Sequence, residues 1–424
     1  MKGWNGVVGR LYKLLISAAV LLTVVQQFPV IRETAYYGIR AVLYGLFIVF
    51  SLVGVAKLGR TGRIPKLLLL FMLAALAWLM VCGVFLLLGW KVYAGDVVEL
   101  FIPLGILLTG YTVRFSEGEQ TGLLIAYGAA GTAMGLALIA YYGSGFSIVG
   151  QYITKKAMKN QTGPIVVSAS IIVLYMLLAS RPRRKKPLLM KAFLAGLLVI
   201  SVSASLILRN RAGLAALVII AFIMLFLYFA GMSRAKSPVR MILLLVVLAA
   251  VIEAGLASQL VKPFYDSFTM SFKVDDMDSL SARRIGVYAD GLDIVGRYPL
   301  FGLAPSGRAM NGIPHNYVLN KLVYYGFLGA LPLLVLYFGL IVFAAGKLLA
   351  GLRYGRRVPL AAYLLIMALV ISLLEYAYPY APGVSLIFVW FTLGQHLRGE
   401  APAGSQTPAR SPELYNGSRF GNPS

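Results

Sequence analysis

Long apolar runs broken by short polar links account for most of this chain. Taking about 17 to 25 mostly apolar residues as one membrane crossing, the pattern predicts about twelve spans. They are Leu14 to Val30, Tyr37 to Val55, Leu67 to Leu88, Val97 to Val113, Leu123 to Tyr142, Pro164 to Ala179, Leu188 to Leu208, Leu214 to Ala230, Met241 to Leu256, Tyr317 to Ala345, Val358 to Leu374 and Val384 to Leu397. The expected fold is therefore all-α and polytopic, with one transmembrane domain over 1–397. One interruption stands out, a segment of about sixty residues at 257–316, because loops beyond about 15 residues inside a compact protein usually carry function. The tail 398–424 is rich in Gly, Pro, Ser and Asn and reads as disordered.

The polar links alternate in charge, and that sets orientation. Lys57, Arg60, Arg63 and Lys66 fall in one link, Arg181 and Arg183 to Lys186 in another, then Arg234, Lys236 and Arg240, then Lys347, Arg353, Arg356 and Arg357. Clusters of this kind face the cytoplasm, so both termini are expected inside and 257–316 outside.

Composition agrees: 59% of the 424 residues are hydrophobic and 13% charged. The net charge of +24 would point to nucleic acid in a soluble protein. Here it is the positive-inside signal, and no nucleic-acid partner is expected. Cys82, the only cysteine, lies in an apolar run and reads as a packing residue. Lys2, Arg10 and Lys13 ahead of the first run resemble a signal peptide, but without a small-residue cleavage site the first helix is expected to be retained. No phosphate-binding Gly-x-x-x-x-Gly-Lys loop and no His-Glu-x-x-His motif occurs, which argues against ATP-driven work and zinc hydrolysis.

Candidate chemistry gathers on the outer side. His315 stands at the water end of a span, where an imidazole can take the proton of an acceptor hydroxyl; arginines nearby would keep it in the neutral form a base requires. Pro314 fits the first turn of the helix that follows, and Gly326 and Gly329 would share one of its faces. Arg209 and Arg211 break the outer-side charge rule and need an anion or a carboxylate; snorkelling toward lipid phosphates is the plainer explanation. Arg283 and Arg284 lie within Ser281 to Asp290, where Ala282, Ile285, Tyr288 and Ala289 suit a short amphipathic helix resting on the membrane. Together the two arginine pairs could fork around a diphosphate and take up the charge of a departing leaving group, with no metal or other cofactor.

Asp275, Asp276 and Asp278 form a competing acidic run that could hold a divalent ion. Lys155, Lys156 and Lys159 make a basic outer patch suited to an anionic acceptor or to lipid headgroups. Tyr376, Tyr378 and Tyr380, beside Glu375, offer faces for sugar stacking or belong to an interfacial aromatic belt. His396, at the inner end, has no such setting.

The spacing His315-Asn316, nine residues, then Gly326-x-x-Gly329 resembles the signature of the O-antigen ligase and polymerase superfamily. Two further stretches are similar in the same order: Asn210-Arg211-Ala212-Gly213 at a helix start, and Arg284 with Tyr288 followed by Tyr298-Pro299-Leu300-Phe301-Gly302. The chain departs from the family pattern at Asn210, where serine is usual, at Tyr288, where tryptophan is common, and at Ala304, where a second glycine is usual.

The resemblance implies a bacterial inner-membrane glycosyltransferase of the helical GT-C type with a periplasmic active site. It would be metal-independent, and would transfer glycan from undecaprenyl diphosphate with inversion. His315 would be the base, Arg211 and Arg284 the diphosphate clamp supported by Arg209 and Arg283, and Asn316 a residue orienting the site. Within the superfamily the motif and the basic patch favour the ligase, whose acceptor is the lipid A core. The polymerase is the alternative, and the protein O-oligosaccharyltransferase is usually longer. A transporter of anionic lipids is the rival from another class; it would place charges inside the membrane.

Overall fold

The computed structural model describes residues 7–61, 64–142, 159–179, 187–208, 210–232, 284–310, 312–354, 357–380 and 384–400. The expected span Met241 to Leu256, residues 257–283 of the long segment, Asp275, Asp276, Asp278 and the tail 401–424 lie outside them. Every described residue in a regular element is helical. In chain order the α-helices are α1 (Val7–Val25), α2 (Pro29–Thr34), α3 (Tyr36–Thr61), α4 (Lys66–Leu87), α5 (Ala94–Val97), α6 (Phe101–Thr112), α7 (Glu117–Tyr142) and α8 (Lys159–Ala179). They continue with α9 (Pro187–Ile207), α10 (Arg211–Met232), α11 (Arg284–Arg297), α12 (Tyr317–Tyr354), α13 (Leu360–Ser372) and α14 (Ile387–Glu400).

Among the described residues, seven helical segments are long and apolar enough to cross a membrane: Tyr36–Leu58, Lys66–Leu87, Ala94–Thr112, Glu117–Tyr142, Asn160–Leu178, Leu188–Ile207 and Tyr317–Tyr354. Shorter apolar stretches lie at Ala212–Tyr228 and Leu360–Ser372. Among the described residues the protein is thus all-helical, with the several long apolar helices of a multi-pass membrane protein. The expected runs other than Met241 to Leu256 all contain helix, but several boundaries move. The span expected from Pro164 starts at Lys159 and carries Pro164 inside the helix. The one expected to stop at Ala345 runs on to Tyr354.

Side-chain contacts define two ends. At one, Lys13 pairs with Glu119 at 2.8 Å, and Arg398 of α14 donates to the carbonyls of Tyr111 and Thr112, satisfying the open C-terminus of α6. Gathered at the other are the end of α7, the start of α8, the loop 88–93 and residues 284–310 and 312–316. Between them the helices meet closely at small residues. A side chain at Gly110 of α6 or Gly394 of α14 would lie 2.1 Å from a carbonyl oxygen of the facing helix, so only glycine allows this approach.

α12 is two helices. At Gly326 the backbone leaves the helix, with φ +66° and ψ −174°, a conformation open essentially to glycine. Residues 298–303 fill the gap. The Leu303 amide donates to Val323 O at 2.9 Å, the Phe327 amide to Pro299 O at 2.7 Å and the Leu328 amide to Leu300 O at 3.0 Å. The inserted turn thus satisfies backbone groups that the break would strand in an apolar setting. Gly326 and Gly329 therefore do not present one continuous helical face, as their spacing suggests.

Candidate functional site

Asn316 is the N-cap of α12: its Oδ1 accepts from the Leu319 amide at 3.0 Å, which satisfies one of the open donors of the first turn. Pro314 consequently lies in the loop before the cap. The Asn316 Nδ2 donates to Leu373 O at 3.3 Å, so this residue braces α12 against the end of α13. The amide expected to orient a donor is engaged with the backbone.

His315, immediately before the cap, is held from both sides. The Tyr288 hydroxyl of α11 donates to its carbonyl at 3.0 Å, and its Nδ1 lies 3.4 Å from Glu375 Oε2. That separation is an ion-pair distance, but the pair falls outside hydrogen-bond geometry, which leaves Nδ1 enclosed. The side chain as a whole is 36% exposed. With Nδ1 turned inward to the carboxylate, Nε2 is the nitrogen left for a ligand. A carboxylate behind an imidazole orients the ring, and is the neighbour the sequence did not announce.

Glu375 is buried and tied down further: the Asn160 Nδ2 of α8 donates to its Oε1 at 3.1 Å. The Tyr378 hydroxyl donates to Asn160 O at 2.6 Å, and Ser385 Oγ to Gln161 O at 2.5 Å. Glu375, Tyr378 and Ser385 are therefore stitched to the first turn of α8. Burial raises the Tyr378 phenol above its ordinary value.

Of the three tyrosines expected to meet an acceptor, only Tyr376 is open, 37% exposed, with its ring centroid 6.1 Å from that of His315. Tyr378 and Tyr380 are buried. The Tyr380 ring stacks 5.9 Å from Trp390 and meets Tyr317 at 5.3 Å, so in this structure those faces are taken by protein.

The starts of α10 and α11 belong to the same end. Asn210 caps α10, its Oδ1 accepting from the Gly213 amide at 3.2 Å. It is wedged between Gly163 of α8 and Gly213, where an added Cβ would come within 2.2 and 2.4 Å of its Nδ2. Arg211 is thus the first residue of a helix whose cap abuts α8 one turn below Asn160. Arg284 begins α11, one turn before Tyr288. The side chains of Arg211, Arg284 and Lys159, and all of Arg209, Arg283, Lys155 and Lys156, fall outside the described residues.

One turn into α12 lies a cluster that the sequence reading missed. The Lys321 ammonium, 4% exposed, is 2.8 Å from Asp96 Oδ1 and 2.5 Å from Glu99 Oε2. The Tyr325 hydroxyl donates to Asp96 Oδ2 at 2.5 Å and Trp78 Nε1 to Asp96 O at 2.7 Å. A lysine this deep is retained only because two carboxylates replace its water. The available signal was Asp96 and Glu99 at i, i+3 on the edge of one apolar run, and Lys321 inside another.

No protein-family model matches the chain, and no curated protein matches it.

Proposed function

We propose that this protein is an O-antigen ligase of the inverting, metal-independent GT-C type. Its donor is undecaprenyl-diphosphate-linked polysaccharide, and its acceptor a hydroxyl of the lipid A core at the periplasmic face of the bacterial inner membrane. The observation that supports this most is His315 facing Glu375 at the start of α12, with the first residues of α10 and α11, Arg211 and Arg284, at the same end of the bundle. The motif resemblance carries the rest, together with the plan of about twelve spans expected from the apolar runs.

In the proposed reaction, His315 Nε2 takes the proton of the acceptor hydroxyl as its oxygen attacks the anomeric carbon. The bond from that carbon to the diphosphate oxygen breaks, and Arg211 and Arg284, supported by Arg209 and Arg283, hold the leaving diphosphate. Glu375 orients the imidazole and balances its charge, while Asn316 and Tyr288 fix the backbone beneath it. Lys155, Lys156, Lys159 and Tyr376 are the candidate acceptor contacts.

The deciding experiment is transfer of a tagged polyprenyl-diphosphate glycan to purified lipid A core in detergent with excess EDTA. Transfer by wild type that persists in EDTA and collapses in His315→Ala supports the ligase. A lengthened lipid-linked glycan with free polyprenyl diphosphate points to the polymerase of the same superfamily. A second reading, an anionic-lipid transporter, is favoured by one observation, the buried Lys321, Asp96 and Glu99 cluster. It takes precedence if neither product forms with folded protein.

A further inference from the structure

A pocket of about 480 Å³ opens at the same end of the bundle where α2 turns into α3, and it shares no residue with the His315 cluster. Its size is that of a small-molecule site, and its lining is graded. Leu22, near the end of α1, and Ile39 and Val42, a turn or more into α3, make an apolar floor. Arg32, Glu33 and Thr34 of α2, with Tyr36 and Tyr37, make a polar rim.

The charges around the rim are unequal. Arg32 is half-buried in the wall. Both oxygens of Glu33 accept from α7, Oε2 from the Tyr141 hydroxyl at 2.8 Å and Oε1 from the Tyr142 hydroxyl at 3.0 Å. One turn beyond Tyr36, Arg40 donates to the Tyr36 hydroxyl at 3.2 Å and to the Tyr44 hydroxyl at 2.9 Å. Two guanidiniums thus stand near one carboxylate, a net positive charge at this end of the bundle. At the mouth of the pocket Tyr37 and Val42, and beside it Val30, are 84%, 58% and 59% exposed, an apolar and aromatic surface of the kind that sits at the lipid–water boundary.

We propose that this pocket binds the headgroup of an anionic phospholipid, with the phosphate against Arg32 and the first chain carbons along Leu22, Ile39 and Val42. An amphiphile fits because the polar rim and apolar floor follow one another along the helix axes. A guanidinium fork is the group best shaped for phosphate oxygens. The site is independent of any glycosyl transfer, so it stands or falls separately from the ligase reading.

The test uses the full chain in mild detergent, stripped of lipid, and titrates phosphatidylglycerol, phosphatidylcholine and inorganic phosphate while following the melting temperature and bound lipid by native mass spectrometry. Phosphatidylglycerol should stabilise wild type and be retained, with phosphatidylcholine and phosphate much weaker. Arg32→Gln should weaken phosphatidylglycerol about tenfold, the loss expected for one charge-assisted contact. Ile39→Trp, which fills the floor and keeps every charge, should weaken it as well. Equal binding of the two lipids by wild type overturns the proposal, as does unchanged preference in both variants. Stabilisation by phosphate alone equal to that by phosphatidylglycerol overturns it in favour of a soluble anion. If Arg32→Gln does not fold, Ile39→Trp and the wild-type lipid comparison still decide.

Discussion

Two side chains with no candidate role in the motif reading carry the sharpest consequences at the scale of single residues. Glu375 stands behind the His315 imidazole. If His315 is the base, Glu375→Gln should lower the turnover number by about 10²-fold, within the range by which a positioned acid–base pair contributes, while donor binding stays near wild type; turnover and donor affinity measured separately check this. Lys321 is the other. Lys321→Met leaves Asp96 and Glu99 facing each other without their cation, and breaking a buried pair from one side costs about 3–5 kcal/mol. Thermal melting should show that loss, and the triple variant Lys321→Met, Asp96→Asn, Glu99→Gln should recover most of it. A triple variant no more stable than the single one would mean that the carboxylates do not need the lysine.

Among elements, the broken helix α12 is the one whose form depends on two glycines at once. Gly326 has φ +66°, and an added Cβ would sit 2.3 Å from Leu300 C; at Gly302, φ +57°, one would sit 2.5 Å from Val323 O. Gly326→Ala should therefore destabilise by at least the 1–3 kcal/mol of a disallowed backbone conformation, with the contact on Leu300 in addition. Gly329→Ala, where the nearest atom is a Phe85 ring carbon at 2.9 Å, should cost less because a ring edge can move. Melting of the two variants side by side gives the order. The break also gives the Pro299-to-Gly302 run its place beside the histidine motif: the carbonyls of Pro299 and Leu300, with the amide of Leu303 just beyond, pair with α12 on either side of Gly326.

For the whole molecule, the alternation of basic links predicts which end faces the cytoplasm, and the structure adds a means of checking it. Cys82 is 1% exposed, so a new surface cysteine would report with little background. Arg308→Cys should react with a membrane-impermeant maleimide in intact spheroplasts, and Lys347→Cys only after the membrane is opened; the reverse pattern would invert the topology. The sequence by itself determined the class and most of the helices, because crossing a membrane demands long apolar stretches with internally satisfied backbones, and that demand is written locally in composition. It also placed Arg211 at a helix start, whereas the cap at Asn316 came only with the structure, because Pro314 is equally at home in a first turn and in the loop before one. The tertiary structure alone decided which groups meet. Glu375 reaches His315 from 60 positions further along the chain, and Lys321 finds Asp96 and Glu99 across 225 and 222 positions. Such pairings have no periodicity to betray them, since they arise from how helices pack, and so does the burial that takes Tyr378 and Tyr380 away from any acceptor.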